Sequence, residues 1–214
     1  MKSKIQSLKN GNKKTVIKKL FLTAAVAVSS VTFAQQFGAK AGMNVSTISD
    51  EGFDDTKSKV GYYAGVFMNV PVSESFSIQP EVLYNNLGSK VSSTVLGTTY
   101  SSTLNLDYVA VPVMFQYKAT PQFYLEAGPE FGFLVNAKQK FDNGSSSIVT
   151  ELDKEDFNSF NMGVGLGLGF DISKNVGLNA RYVAGFSDIT KKSGPAADAK
   201  NKNNAFQVGL NIKF

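Results

Sequence analysis

The chain has 214 residues with no cysteine and no histidine. That excludes disulfides, thiol nucleophiles, Ser-His-Asp machinery and the usual zinc sites. Its formal charge of +5 is concentrated: residues 1–34 carry Lys2, Lys4, Lys9, Lys13, Lys14, Lys18 and Lys19 and no acid. The remainder holds 15 basic and 17 acidic residues, so the basic balance is no argument for a nucleic-acid partner.

Residues 1–34 read as a signal peptide. Lysines lead into the apolar run Leu20 to Val28, followed by the small-residue exit Ser29-Ser30-Val31-Thr32-Phe33-Ala34. The run is about 15 residues at most, short of the roughly 20 that a spanning helix needs. No cysteine follows it, so lipoprotein processing is excluded. Mass analysis of the mature protein is expected to find Gln35 first; an envelope chain retaining residues 1–34 would contradict this. Membrane residence after export is then open only to a β-barrel in residues 35–214.

Eight segments with period-2 alternation follow. Residues 37–46 place Phe37, Ala39, Ala41, Met43 and Val45 on one face. Residues 60–70 do so with Tyr62, Ala64, Val66, Met68 and Val70, and 76–86 with Phe76, Ile78, Pro80, Val82 and Tyr84. In 106–117, apolar on both faces at its middle, the phase is Val109, Val111, Val113, Phe115 and Tyr117. Residues 123–135 show Leu125, Ala127, Pro129, Phe131 and Phe133. Residues 160–170 show Met162, Val164, Leu166, Leu168 and Phe170 against Gly163, Gly165, Gly167 and Gly169. Residues 176–186 show Leu178, Ala180, Tyr182, Ala184 and Phe186, and 206–214 show Phe206, Val208, Leu210, Ile212 and Phe214.

Of these forty positions thirty-eight are apolar or aromatic, two are proline and none is charged; a 43% hydrophobic composition would supply about 17. The opposite face carries Gly, Asn, Gln, Lys, Glu and Arg. Apolar-out, polar-in segments of about ten residues are the pattern of a transmembrane barrel. The connections alternate: 71–75, 118–122 and 171–175 are short, while 47–59, 87–105, 136–159 and 188–204 are long and polar. Short periplasmic turns and long outer loops have that alternation. The expected fold is therefore all-β: an eight-stranded antiparallel up-and-down transmembrane β-barrel. Aromatics near both strand ends, Phe76 and Tyr117 at one and Tyr62, Tyr84 and Phe133 at the other, are candidate interfacial girdles. Pro80, Pro112 and Pro129 fall inside strands, where each removes a ladder hydrogen bond; bulges are expected there.

Three stretches carry a family resemblance. Gln36-Phe37-Gly38-Ala39-Lys40-Ala41-Gly42-Met43-Asn44-Val45-Ser46 resembles the opening strand of the PorT-like outer-membrane β-barrel family. Phe76-Ser77-Ile78-Gln79-Pro80-Glu81-Val82-Leu83-Tyr84 resembles its third strand. Leu106-Asp107-Tyr108-Val109-Ala110-Val111-Pro112-Val113 is similar to its Leu-x-Tyr-x-x-x-Pro strand. The resemblance spans 35–214 and rests on barrel motifs, not catalytic ones. It implies an outer-membrane barrel in a diderm bacterium. The family's namesake is implicated in assembling a machine that secretes proteins across the outer membrane.

The inward face offers Lys40, Arg181 and Lys213 against Glu81, Glu126 and Glu130. An eight-stranded barrel is just wide enough to be filled by side chains, and buried charges must pair. These six are expected to form a structural ion-pair plug, completed by Asn44, Gln79, Asn161 and Asn179. Glu126 and Glu130 lie about 13 Å apart along one strand, too far for an acid–base dyad. The inward glycines are expected to accommodate bulky neighbours such as Arg181, Tyr124 or Phe67. Acidic loop residues Asp50, Glu51, Asp54 and Asp55 are of a type that can hold calcium or magnesium, but their spacing fits no EF-hand and they read as solvated; Asp142 and Glu151 to Asp156 are open to the same two readings.

No catalytic residue, cofactor or metal is expected. The expected function is a non-enzymatic structural or interaction role through the outer loops. A narrow passive channel or a secretion-assembly component is the alternative, and a soluble lipocalin-like carrier, which needs an apolar cavity, a more remote one. Expected partners are outer-membrane lipid, the barrel insertion machinery and an envelope protein at the loops. The barrel is expected to be monomeric, with no nucleic acid bound.

Overall fold

The computed structural model describes residues 35–49, 57–95, 98–190 and 201–214. The signal-peptide reading and the acidic cluster at Asp50 to Asp55 lie outside them. The strands are β1 (Gln36–Ser49), β2 (Lys57–Pro71), β3 (Phe76–Val95), β4 (Thr98–Lys118), β5 (Phe123–Asp142), β6 (Ser147–Glu151), β7 (Phe160–Asp171), β8 (Val176–Asp188) and β9 (Lys202–Lys213). A 3-10 turn, Lys154–Asp156, precedes β7.

Every pairing is antiparallel. β1 pairs with both β2 and β9, and β4 pairs with β5 as well as β3. The sheet therefore closes on itself through β1, β2, β3, β4, β5, β7, β8 and β9. Closure removes the sheet edges, which a strand in lipid could not leave unpaired. The ninth strand, β6, pairs with β5 alone and is no part of the ring.

The face assignment follows the alternation. None of the forty apolar-phase positions is buried. Their inward neighbours Lys40, Glu81, Gln116, Glu126 and Arg181 are all buried. Girdle rings meet across strands: Phe76 and Tyr117 have centroids 5.0 Å apart, Tyr62 and Tyr84 6.0 Å, and Phe133 and Phe160 5.5 Å.

Two of the long connections are strand for much of their length. β3 and β4 stay paired out to Val95 and Thr98, and β5 continues to Asp142 and turns back as β6. The parts of these extensions on β3, β4 and β6 are rich in Ser, Thr, Val and Tyr, which favour strand. They lie beyond the apolar belt, where no lipid requires alternation. Gly88 sits at φ 141° where β3 leaves the barrel, and a Cβ there would lie 1.9 Å from the Leu104 carbonyl oxygen. Only glycine fits that position. The Ser46 hydroxyl donates to the Gly88 carbonyl and accepts from its N–H.

The proline positions are not bulged. Register is unchanged across all three, but pairing lapses: Met68–Asn69 against Gln79–Pro80, Glu81–Val82 against Val111–Pro112, and Val113–Met114 against Gly128–Pro129. Each lapse contains one proline, whose missing N–H is absorbed as a local gap. The register shifts lie elsewhere, between Ser58 and Tyr63, at Asp107/Tyr108, and between Ala184 and Asp188.

Candidate functional site

The chemistry-bearing side chains gather in the lumen. Alternation on β1, β3, β5 and β8 points Lys40, Glu81, Glu126 and Arg181 inward at neighbouring heights. Lys40 Nζ lies 2.8 Å from Glu81 Oε1. Arg181 grips Glu81 with both terminal nitrogens, at 2.9 Å to Oε2 and 2.8 Å to Oε1. Its Nε donates to Glu126 Oε1 at 2.8 Å. Lys40, Glu81, Glu126 and Arg181 are each at least 98% buried. The fork geometry of a guanidinium suits this double capture, which a lysine could not reproduce.

Hydrogen bonds extend the cluster toward the short turns. Gln79 Nε2 donates to Glu81 Oε1 and Gln116 Nε2 to Glu126 Oε2, at 2.8 and 2.9 Å. Asn69 Nδ2 donates to Gln116 Oε1 at 2.8 Å. A second chain crosses from Tyr63 OH to Asn179 Oδ1, from Asn179 Nδ2 to Asn211 Oδ1, and from Asn211 Nδ2 to Tyr124 OH.

Two of the six expected lumen charges stand apart. Lys213 is paired with Asp171, at 2.5 Å, at the turn end of the barrel. Asp171 ends β7 and comes within reach because β9 and β7 flank β8. Glu130 is buried, but its Oε2 has no hydrogen-bond partner. It lies four residues beyond Glu126 along β5, too far toward the loop end to share Arg181's fork. Asn44 donates to the Tyr62 carbonyl, and Asn161 lines a small cavity beside Glu130. Gln116, Asn69, Tyr63, Asn211 and Asp171 were not singled out from the sequence. The inward phase of β4, with Gln116 between Phe115 and Tyr117, was the available signal.

At the loop end the lumen is apolar. Leu87, Leu106, Tyr108, Ala137, Phe157, Ile189 and Ala205 form one buried cluster. Phe157 and Ile189 come from long connections, so those segments fold back over the barrel mouth. Beside the cluster, Lys59 Nζ donates to Asn86 Oδ1 and to the Leu87 carbonyl, and Asn86 Nδ2 donates to Asp107 Oδ1.

The inward glycines make room for large side chains. A Cβ on Gly169 would fall 2.1 Å from Tyr124 Cζ, and one on Gly38 2.3 Å from Phe67 Cζ. Arg181 Cδ passes 3.3 Å from the Cβ position of Gly165. Gly169→Ala is therefore expected to displace Tyr124 and cost about 1–3 kcal/mol by overpacking, read as a lower unfolding midpoint in detergent. An unchanged midpoint would contradict that packing.

The later acidic loop residues have local roles. Asp142 Oδ1 accepts from the Gly144 N–H in the β5–β6 turn, and Glu151 pairs with Lys138 across that hairpin at 3.4 Å. Among the described residues, no group of three acidic side chains is placed to hold a metal ion.

A family model described as an outer membrane protein beta-barrel domain matches residues 33–191. No curated protein matches the chain significantly. Similar solved structures include Ail, the attachment invasion locus protein of Yersinia pestis. It is 15% identical, over 85% of this chain and 100% of that one, with a TM-score of 0.50. Neisserial surface protein A is 12% identical over 85% and 100%, with a TM-score of 0.47. OprG from Pseudomonas aeruginosa is 14% identical over 85% and 96%, with a TM-score of 0.40. Such low identities bear on fold alone.

Proposed function

The chain belongs to the outer membrane protein β-barrel domain family, and from that premise we propose that it is a non-conducting, non-enzymatic scaffold that acts through its outer hairpins. It resides in the outer membrane of a diderm bacterium. Within the family it is of PorT-like type, on the strength of its first, third and fourth strand motifs. It works as a monomer in outer-membrane lipid after delivery by the barrel insertion machinery. Its functional contact is an envelope protein docked on the projecting β3–β4 and β5–β6 hairpins. Those hairpins carry exposed Val91, Tyr100, Phe141 and Ile148 around one trough, beyond the reach of the lipid belt.

The observation that carries the non-conducting reading is the reach of Arg181 across the lumen to Glu81, a hundred residues away, and to Glu126. A pore needs a continuous water path, and these buried bonds occupy it. The enzyme class is disfavoured by the absence of histidine and by the commitment of Glu126 to Arg181 and Gln116. Planar-bilayer recording tests the reading. The wild type is expected to give no steady conductance step. A large, steady wild-type conductance unchanged by Arg181→Ala would overturn it.

A further inference from the structure

Between the ion-pair network and the apolar cap, the lumen keeps a cavity of about 30 Å³, lined in part by Tyr108, Glu130, Gly132, Asn161 and Asn203. That is room for one water-sized species. Two of its lining side chains, both more than nine-tenths buried, have polar atoms without partners: Oε2 of Glu130, and Oδ1 and Nδ2 of Asn203. Polar atoms closed away from water without a partner are costly, and a carboxylate is the costliest of them.

The charge balance of the buried groups points the same way. The buried cations are Lys40, Lys59 and Arg181; the buried carboxylates are Glu81, Asp107, Glu126 and Glu130. Lys40 and Arg181 are bound to Glu81 and Glu126. Lys59 is linked to Asp107 through Asn86. Glu130 is the carboxylate left without a cation of its own, and it lies against the cavity.

We propose that this cavity is a binding site for one monovalent cation of alkali-metal size. Glu130 Oε2 supplies the charge, and the Asn203 carboxamide oxygen and Tyr108 hydroxyl supply neutral oxygens. Hard cations take oxygen ligands; calcium takes roughly six to eight of them and magnesium keeps several of its waters, neither of which a space this small admits. A single carboxylate among neutral donors matches an ion of charge +1. This inference goes beyond the scaffold reading, because an occupied internal site is compatible with a sealed or a leaky lumen.

The test uses the mature protein folded in detergent and exchanged into choline chloride, then into sodium, potassium or rubidium chloride at constant ionic strength. A ligand that binds only the folded state raises its stability by mass action. The unfolding midpoint is expected to rise by several degrees, saturably, with at least one alkali cation. Glu130→Gln keeps the side-chain shape and is expected to abolish the rise. Gly132→Ala is expected to weaken it, since its added methyl enters the cavity with its closest neighbour, Tyr108 Cδ1, 3.4 Å away. Rubidium-soaked crystals are expected to show anomalous density beside Glu130. Equal midpoints in choline and in every alkali chloride would overturn the site, as would a rise that persists in Glu130→Gln. So would an infrared band of a protonated carboxyl at neutral pH that Glu130→Gln removes, which would make the counter-charge a proton. If Glu130→Gln does not fold, the rubidium experiment on wild type decides: density supports the site and its absence overturns it.

Discussion

Arg181→Ala is expected to lower the stability of the folded barrel by about 3–5 kcal/mol, the loss typical of breaking a buried ion pair from one side. Four close contacts disappear together. Glu81 retains Lys40 and Gln79, so the stranded charge is chiefly Glu126, left with only Gln116. The double variant Arg181→Ala with Glu126→Gln removes that charge as well. It is expected to cost clearly less than the sum of the single changes, because residues in contact are not additive. Urea unfolding from lipid vesicles, followed by heat-modifiable gel migration, measures the cycle. A loss below about 1 kcal/mol for Arg181→Ala, the scale of an exposed pair, would mean that water reaches the network freely.

Leu166→Arg is expected to cost about 2–4 kcal/mol, the penalty for arginine at the midplane of a barrel's lipid face. Leu166 is mid-strand in β7, 67% exposed, and paired with Ala127 and Tyr182, both also outward. Ser145→Arg, in the exposed β5–β6 turn, is expected to stay within about 0.5 kcal/mol. Gly167 offers no silent control, since a Cβ there would lie 2.6 Å from the Ala180 carbonyl oxygen. Equal losses at Leu166 and Ser145 would mean that the outward face is not in lipid.

What was legible in the sequence tracks where the solvent imposes a rule. Lipid demands an apolar side chain at every outward position, so one alternation repeated eight times gives the strands, their phase and the closed ring. Beyond the lipid no such rule acts, and the Ser/Thr-rich extensions of β3 and β4 carry no apolar alternation to distinguish them from loops. The lumen was readable in part. Opposite charges at one height in a narrow space have few places to go, and Lys40, Glu81, Glu126 and Arg181 lie together. Lys213 could not be placed, because its partner Asp171 ends a strand and looked like a turn residue. The apolar cap was hidden because Phe157 and Ile189 come from long connections with no periodicity to mark them.

The three proline gaps bear on how load is carried. They fall at successive joints, β2/β3, β3/β4 and β4/β5. A barrel is a set of staves hooped by backbone hydrogen bonds, and here the hoop is thin along one arc. Glu81 sits at the middle joint, opposite Pro112. Its bonds to Lys40 on β1 and Arg181 on β8, and Arg181's bond to Glu126 on β5, run across the bore like spokes. Side squeezing that would ovalise a hollow tube along its thin arc is met in compression by these side chains. Shape is thus held from the hub where the rim is weakest, and the same charged residues that fill the bore keep it round.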